Sequence, residues 1–258
     1  MIKIITACDD NPRYVEMSEI CQSSIKKYCT QHSLSFSFRQ IPENDRRAVW
    51  YKIKFLKEEL ETGSEEYCLW IDTDAIIYNR NFDLKTLTAS GREIYLSKDI
   101  LGLNTGVMLF KKSDFNIRLL DKIWGMTHCF NHPWQEQQAL IELVESNYED
   151  IQKKLEFVPQ KILNSYVYEM HGKRHAEGEF YRHSFVVHFP NLPYKIRIRS
   201  MKFLNNVSDY IYRPGGKLRP VLFGAIAFYV SSFAAVERFW NRQRRSISKR
   251  MASTRHAF

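Results

Sequence analysis

The stretch Glu66-Tyr67-Cys68-Leu69-Trp70-Ile71-Asp72-Thr73-Asp74-Ala75-Ile76-Ile77 decides the fold. A short apolar run, rich in aromatic and branched residues, leads into Asp-Thr-Asp, and a second apolar run leaves it. The first run is predicted to be a buried strand. The two carboxylates then stand where that strand ends, and open α/β sheets bind ligands at the carboxyl ends of their strands. Two Asp separated by one residue can both reach one hard cation, Mn²⁺ or Mg²⁺. Such an ion neutralises the charge that develops on a nucleotide diphosphate leaving group. The plain alternative is an Asx-type turn with two solvated carboxylates.

Upstream, Ile2 to Ala7 is predicted as a first strand, followed by a turn at Cys8-Asp9-Asp10-Asn11-Pro12. Val15, Met17, Ile20, Ile25 and Tyr28 then recur at near-helical spacing, and Ser35 to Arg39 alternates as a half-buried strand does. This β-α-β opening suits a nucleotide-binding half. It contains neither a dinucleotide fingerprint nor a P-loop. Val49 to Leu60 is predicted as a helix ended by Gly63.

Downstream, Glu93 to Ser97 is a candidate strand, and Gly102 to Phe110 sets Asn104-Thr105 between glycines at the head of an apolar strand. Glycine there is expected to let a ligand approach closely. Ser113-Asp114 caps a further helix. Pro133 and Glu136 open the next, as ordinary N-terminal signals. Leu155 to Pro159 is a candidate strand. A polar loop from His171 to Arg182 is either a lid or a surface excursion. Ser184 to Phe189 is a strand ending at His188, and a neutral imidazole is a suitable third ligand beside two carboxylates. His128 and His132 lack metal spacing and are expected to be structural or solvated.

Five motifs in this order resemble a family: Trp50-Tyr51-Lys52, the apolar strand into Asp72-Thr73-Asp74-Ala75, Asn104-Thr105-Gly106, Glu136-Gln137 and His188-Phe189. The set is similar to the metal-dependent glycosyltransferases of GT-A fold, and within them to the galactosyl/mannosyl/xylosyltransferase family of the fungal Golgi and of plant xyloglucan synthesis. The resemblance implies an α/β fold with a Rossmann-type mixed sheet flanked by helices. It implies Mn²⁺ or Mg²⁺ held by Asp72, Asp74 and His188, and a nucleotide-sugar donor, a UDP-sugar above all. The acceptor implied is a glycan or lipid-linked glycan. Transfer would be of a hexose or pentose, with retention. Asn104 and Thr105 would touch donor sugar or acceptor. Glu136 or Gln137 would lie near the anomeric carbon, although the family has Asp where Glu136 stands. Lys52 would reach a donor phosphate or the active-site carboxylates, unless it is one solvated Lys beside Lys54 and Lys57. The family's late Lys stands five residues after its His; Lys195 stands seven after, and Lys195, Arg197 or Arg199 is expected to meet the diphosphate.

The chain has 258 residues, 44% of them hydrophobic, enough for one α/β domain with an appendage. Five Cys with no Cys-x-x-Cys fit reduced thiols in a reducing compartment. The net charge of +9 is uneven: Lys195 to Phe258 holds 14 Lys/Arg against Asp209 and Glu237, a local +12. Val221 to Val236 is an uncharged run of 16 residues with Arg219 before it and Trp240 and Arg242 after it. It is shorter than the roughly 20 residues of a spanning helix, and resembles an interfacial one. The expected division is therefore residues 1–199 as catalytic domain and 200–258 as a basic helical appendage on an anionic membrane surface. Without an N-terminal anchor, the expected place is the cytoplasmic, inner face of the cell membrane. A nucleic-acid partner is not expected, because no nucleic-acid module is present. Two other functions fit less well. A sugar-phosphate nucleotidyltransferase wants a Gly-rich phosphate loop after the first strand. A catalytically inactive glycan-binding protein would tolerate loss of the metal ligands, and all three are here.

Overall fold

The computed structural model describes residues 1–43, 46–167, 180–212 and 232. A six-stranded mixed sheet runs in the order β2-β1-β3-β6-β5-β7. Its strands are β1 (Ile2–Cys8), β2 (Ser35–Gln40), β3 (Tyr67–Ile71), β5 (Ile94–Asp99), β6 (Gly102–Lys111) and β7 (Leu155–Phe157). β1 lies parallel to β2 and β3, β6 is antiparallel to β3 and β5, and β7 is parallel to β5. A small sheet, β4-β9-β8, joins β4 (Ala75–Ile77), β8 (Ser165–Tyr166) and β9 (Val186–His188).

The period of two explains the layers. Ile4, Leu69 and Leu109 stand in register and face one side, with α1 (Pro12–His32), the small sheet and α7 (Tyr194–Ile211) packed over them. Ile5, Trp70 and Met108 face the other side, under α2 (Tyr51–Thr62), α3 (Asp114–Gly125) and α4 (Gln135–Glu145); two short helices, α5 (Ile151–Lys154) and α6 (Gln160–Leu163), flank β7. β3 is therefore buried on both faces, as its unbroken apolar run predicts. Since α1 covers one face and α2 the other, the winding direction changes between β1 and β3. Crevices form at the carboxyl ends of strands at such a point, and Asp72 follows β3 there.

Several expectations change. β2 is half-buried along most of its length rather than alternating, because it is an edge strand. Pro133 lies two residues before α4, which opens at Gln135 with a left-handed φ of 46°. α7 runs unbroken through the expected boundary at residue 199. Its Met201, Leu204 and Ile211 sit in the core, so residues 200–211 belong to the catalytic body. The run 221–236, apart from residue 232, and residues 171–179 of the polar loop lie outside the described residues. Among the described residues no helix is long and apolar enough to cross a membrane. All five cysteines are buried free thiols. Burial pushes the Cys29 thiol up to about 12, and burial with the nearby Glu142 carboxylate pushes Cys129 up to about 11.

Candidate active site

The Asp-Thr-Asp turn is the seam between the two sheets. On one side, Asp72 N–H donates to the Gly106 carbonyl at 2.8 Å, continuing the β3–β6 pairing. On the other, Ala75 pairs with His188 in the β4–β9 ladder, and Phe189 N–H donates to the Asp74 carbonyl at 2.9 Å. This register alone brings Asp74 and His188 together across 114 residues of chain. Ligand atoms of Asp72, Asp74 and His188 all lie within 4.8 Å of one another.

Each carboxylate has its own escort. Trp70 Nε1 donates to Asp72 Oδ1 at 2.6 Å, and the ammonium of Lys52 stands 2.9 Å from the same oxygen. Lys52, from the first turn of α2, also lies 3.3 Å from Glu136 Oε1, and its side chain is only 5% exposed. Burial works to lower the Lys52 pKa, but the charges of Asp72 and Glu136 raise it above its ordinary value. Lys52 is thus the tie between two acids, and the solvated alternative is excluded. Arg197 Nη1 forms an ion pair with one Asp74 oxygen at 3.0 Å, and His188 Nε2 stands 3.0 Å from the other. Burial would raise the Asp74 pKa; the facing His188, then Arg197 and Lys52, hold it well below the carboxylate range.

His188 is oriented from behind. Its Nδ1 lies 2.8 Å from Asn164 Oδ1, which leaves Nε2 as the nitrogen that faces the carboxylates. A Cβ at Gly106 would come within 2.3 Å of His188 Cε1. Glycine there makes room for the imidazole, and it also lines the cleft. Two carboxylates and an imidazole so oriented fit Mn²⁺, and Mg²⁺ less well.

α4 enters from the far side of the cleft. Glu136 is 4% exposed, accepts from Thr105 Oγ1 at 3.1 Å and pairs with Lys52. Burial pushes its pKa up, Lys52 pulls it down, and Asp72 adds to the rise. It is a buried acid of the cleft, not merely a helix N-terminal charge. Gln137 Oε1 accepts from Thr105 N–H at 3.3 Å. Asn104 Oδ1 accepts from Gly106 N–H at 2.8 Å, and its Nδ2 donates to Asp99 Oδ2 at 3.0 Å and to Tyr166 Oη at 3.1 Å. All these groups line one open cleft of about 570 Å³. Lys195 does not line it. Two residues is about 200° around a helix, so the α7 face that puts Arg197 in the cleft turns Lys195 to solvent.

The profile of the galactosyl transferase GMA12/MNN10 family matches residues 1–91 and 86–191. The chain belongs to that family. All five ordered motifs lie inside the matched span. An uncharacterized alpha-1,2-galactosyltransferase of Schizosaccharomyces pombe is 23% identical over 198 residues, which is 60% of this chain and 56% of that protein. The chain therefore spans little more than half the length of that relative. A glycosyltransferase involved in the glycosylation of the major capsid of PBCV-1 superposes with a TM-score of 0.62 at 16% identity, covering 78% of this chain and 98% of that one. Galactosyltransferase LgtC, solved with donor and acceptor sugar analogs, gives 0.50 at 11% identity, covering 87% and 99%. This likeness is one of fold, the GT-A arrangement.

Some residues of this GMA12/MNN10-family site carry no local signal in the sequence. Asn164, Asp99 and Tyr166 reach it from separate elements, and only the strand pairing of β8 with β9 brings Asn164 behind His188. Trp70 was legible as core, and its indole N–H does a second task. His128 Nε2 lies 2.8 Å from Glu142 Oε2 away from the cleft, and His128, Cys129 and Glu142 bring their ligand atoms within 4.8 Å of one another there, a grouping that the sequence spacing did not suggest. His132 Nδ1 accepts from Trp134 N–H at 3.2 Å.

Proposed function

We propose that this chain transfers a hexose or pentose from a nucleotide diphosphate sugar, a UDP-sugar, to a hydroxyl of a glycan or lipid-linked glycan, with retention of configuration. One observation carries the reading: Asp72, Asp74 and His188 present three ligand atoms within 4.8 Å at the carboxyl end of β3. Asp72, Asp74 and His188 would hold Mn²⁺ or Mg²⁺. Bound there, the ion supplies Lewis-acid stabilisation of the departing diphosphate. Arg197 reaches the same edge of the cleft and meets the diphosphate charge as it develops. Lys52 fixes Asp72 and Glu136 relative to each other. Thr105, Glu136 and Gln137 form the wall on which the transferred sugar is oriented, and Asn104 braces the loop beneath it. The nucleotidyltransferase and inactive-binder alternatives are not favoured by the family match.

The test is nucleotide diphosphate release from a panel of UDP- and GDP-sugars, with and without Mn²⁺. Metal-dependent release, lost with EDTA, is expected. Release insensitive to EDTA, or absent with every donor, overturns the reading.

The basic C-terminal sequence is proposed to hold the enzyme on an anionic membrane at the cytoplasmic face, beside a lipid-linked acceptor. Seven Lys/Arg from Arg238 to Arg255 support this, at about 1 kcal/mol each near such a surface. Since α7 packs in the core through Ile211, the truncation that tests it ends near Arg219. The full chain is expected to pellet with anionic liposomes and the truncation to stay in solution; equal behaviour of the two sinks the idea.

A further inference from the structure

Apolar surface is not spread evenly. Eight large hydrophobic residues are exposed among the described residues, and three of them, Val49, Leu101 and Trp134, line the cleft. Trp134 is the largest, at 40% exposure. Its indole stands edge-on to His132, with ring centroids 5.8 Å apart. The backbone aims it: Gln135 takes a left-handed φ of 46°, between Trp134 at the mouth and Glu136 in the buried interior. Non-glycine residues adopt that conformation at a cost, and such costs concentrate at functional sites. The bend lets two residues one position apart from it serve one cleft, the indole at the rim and the carboxylate inside.

An exposed indole beside polar walls suits a ligand with one apolar face and polar edges. A pyranose ring is such a ligand: its C–H groups present a face, and its hydroxyls surround it. A nucleobase also stacks on indole, but its place differs. The winding change lies between β1 and β3, whereas Trp134 and Leu101 stand on the β6–β5 side, and no residue of β1 or α1 lines this cleft.

Resting on the proposed transferase function, we infer that Trp134 is the platform of the acceptor subsite, stacking on a pyranose of the acceptor glycan, with Leu101 and Val49 extending the apolar rim. No covalent step is added: the platform sets which hydroxyl is held toward the sugar beside Glu136.

The experiment uses the full chain with UDP and Mg²⁺. Saturation-transfer NMR measures binding of methyl α-mannopyranoside, methyl β-galactopyranoside and methyl β-glucopyranoside, and calorimetry measures UDP–Mg²⁺ binding separately. At least one sugar is expected to bind through its ring C–H protons. Trp134→Ala should weaken that sugar at least tenfold more than it weakens UDP, and Trp134→Phe should recover part of the loss. Circular dichroism confirms that both variants fold. Sugar binding unchanged in Trp134→Ala overturns the inference, as does absence of binding by all three sugars. A loss for UDP as large as for sugar overturns it in favour of base stacking. Failure of the wild type to bind UDP–Mg²⁺ is the separate signature that the transferase reading itself is wrong.

Discussion

The two aspartates of one turn belong to two different structures. Asp72 is served by the large sheet and its α2 face, through an indole N–H and a fixed ammonium. Asp74 is served by the small sheet and α7, through an imidazole and a guanidinium. The large-sheet side is built as scaffold: Lys52 is buried and already shared between two acids. On the small-sheet side His188 is as buried as Lys52, and Arg197 is the partly exposed cation. Ligand binding should thus draw on the Asp74 side, and positioning on the Asp72 side.

The most severe break is on the small-sheet side. Asp74→Asn is expected to lower donor turnover at least about 1000-fold by removing a proposed metal ligand, with the circular dichroism spectrum unchanged. Next is the scaffold. Lys52→Met removes a buried cation and leaves Asp72 and Glu136 without it. Breaking a buried pair in this way costs about 3–5 kcal/mol, to be read by chemical denaturation, and turnover should fall with it. Lys52→Met combined with Glu136→Gln should recover part of that stability, whereas Lys52→Met with Asp74→Asn should not.

Glu136→Gln alone should cut turnover at least about 100-fold, the low end for a group acting in the transition state. Its pH signature is separate. Burial raises the Glu136 pKa, so the folded protein holds that proton more tightly than the unfolded chain. The contribution favours folding at low pH and is lost as pH rises from the ordinary glutamate value through the raised one. Denaturation between pH 4 and 8 should show this decline in the wild type and not in Glu136→Gln. The smallest effect is expected at the seam. Gly106→Ala presses on the His188 ring, and should weaken Mn²⁺ binding by about 10-fold, the low end for disturbing the support of a ligating His.

Much of the Asp72 side was legible in sequence because it is local. The apolar run of β3 and Trp50-Tyr51-Lys52 on its helix are short-range patterns with a physical period. His188 was legible as the end of an apolar strand within an ordered set of motifs. What could not be read was made by pairing distant segments. The Ala75–His188 register brings Asp74 and His188 together, and β8 beside β9 brings Asn164 behind the ring. Of Lys195, Arg197 and Arg199, which counting along the chain could not separate, only Arg197 lines the cleft, because α7 selects by angle. The boundary at residue 199 was misplaced because the family pattern stops there while the apolar face of α7 continues to Ile211.

The seam also sets a timetable. Lys52 and Asp72 are 20 residues apart, whereas Asp74 and His188 are 114 apart, and Lys27 on α1 meets Asp209 on α7 across 182. Contacts between distant residues close late, because the loop between them must be ordered first. During synthesis, which proceeds at about 5–20 residues per second, the Asp72 half can form while His188 and Arg197 are still inside the ribosome. A nascent chain therefore has most of its large sheet before Asp74 meets His188 and Arg197, and the cluster of carboxylate, imidazole and guanidinium closes only when α7 docks.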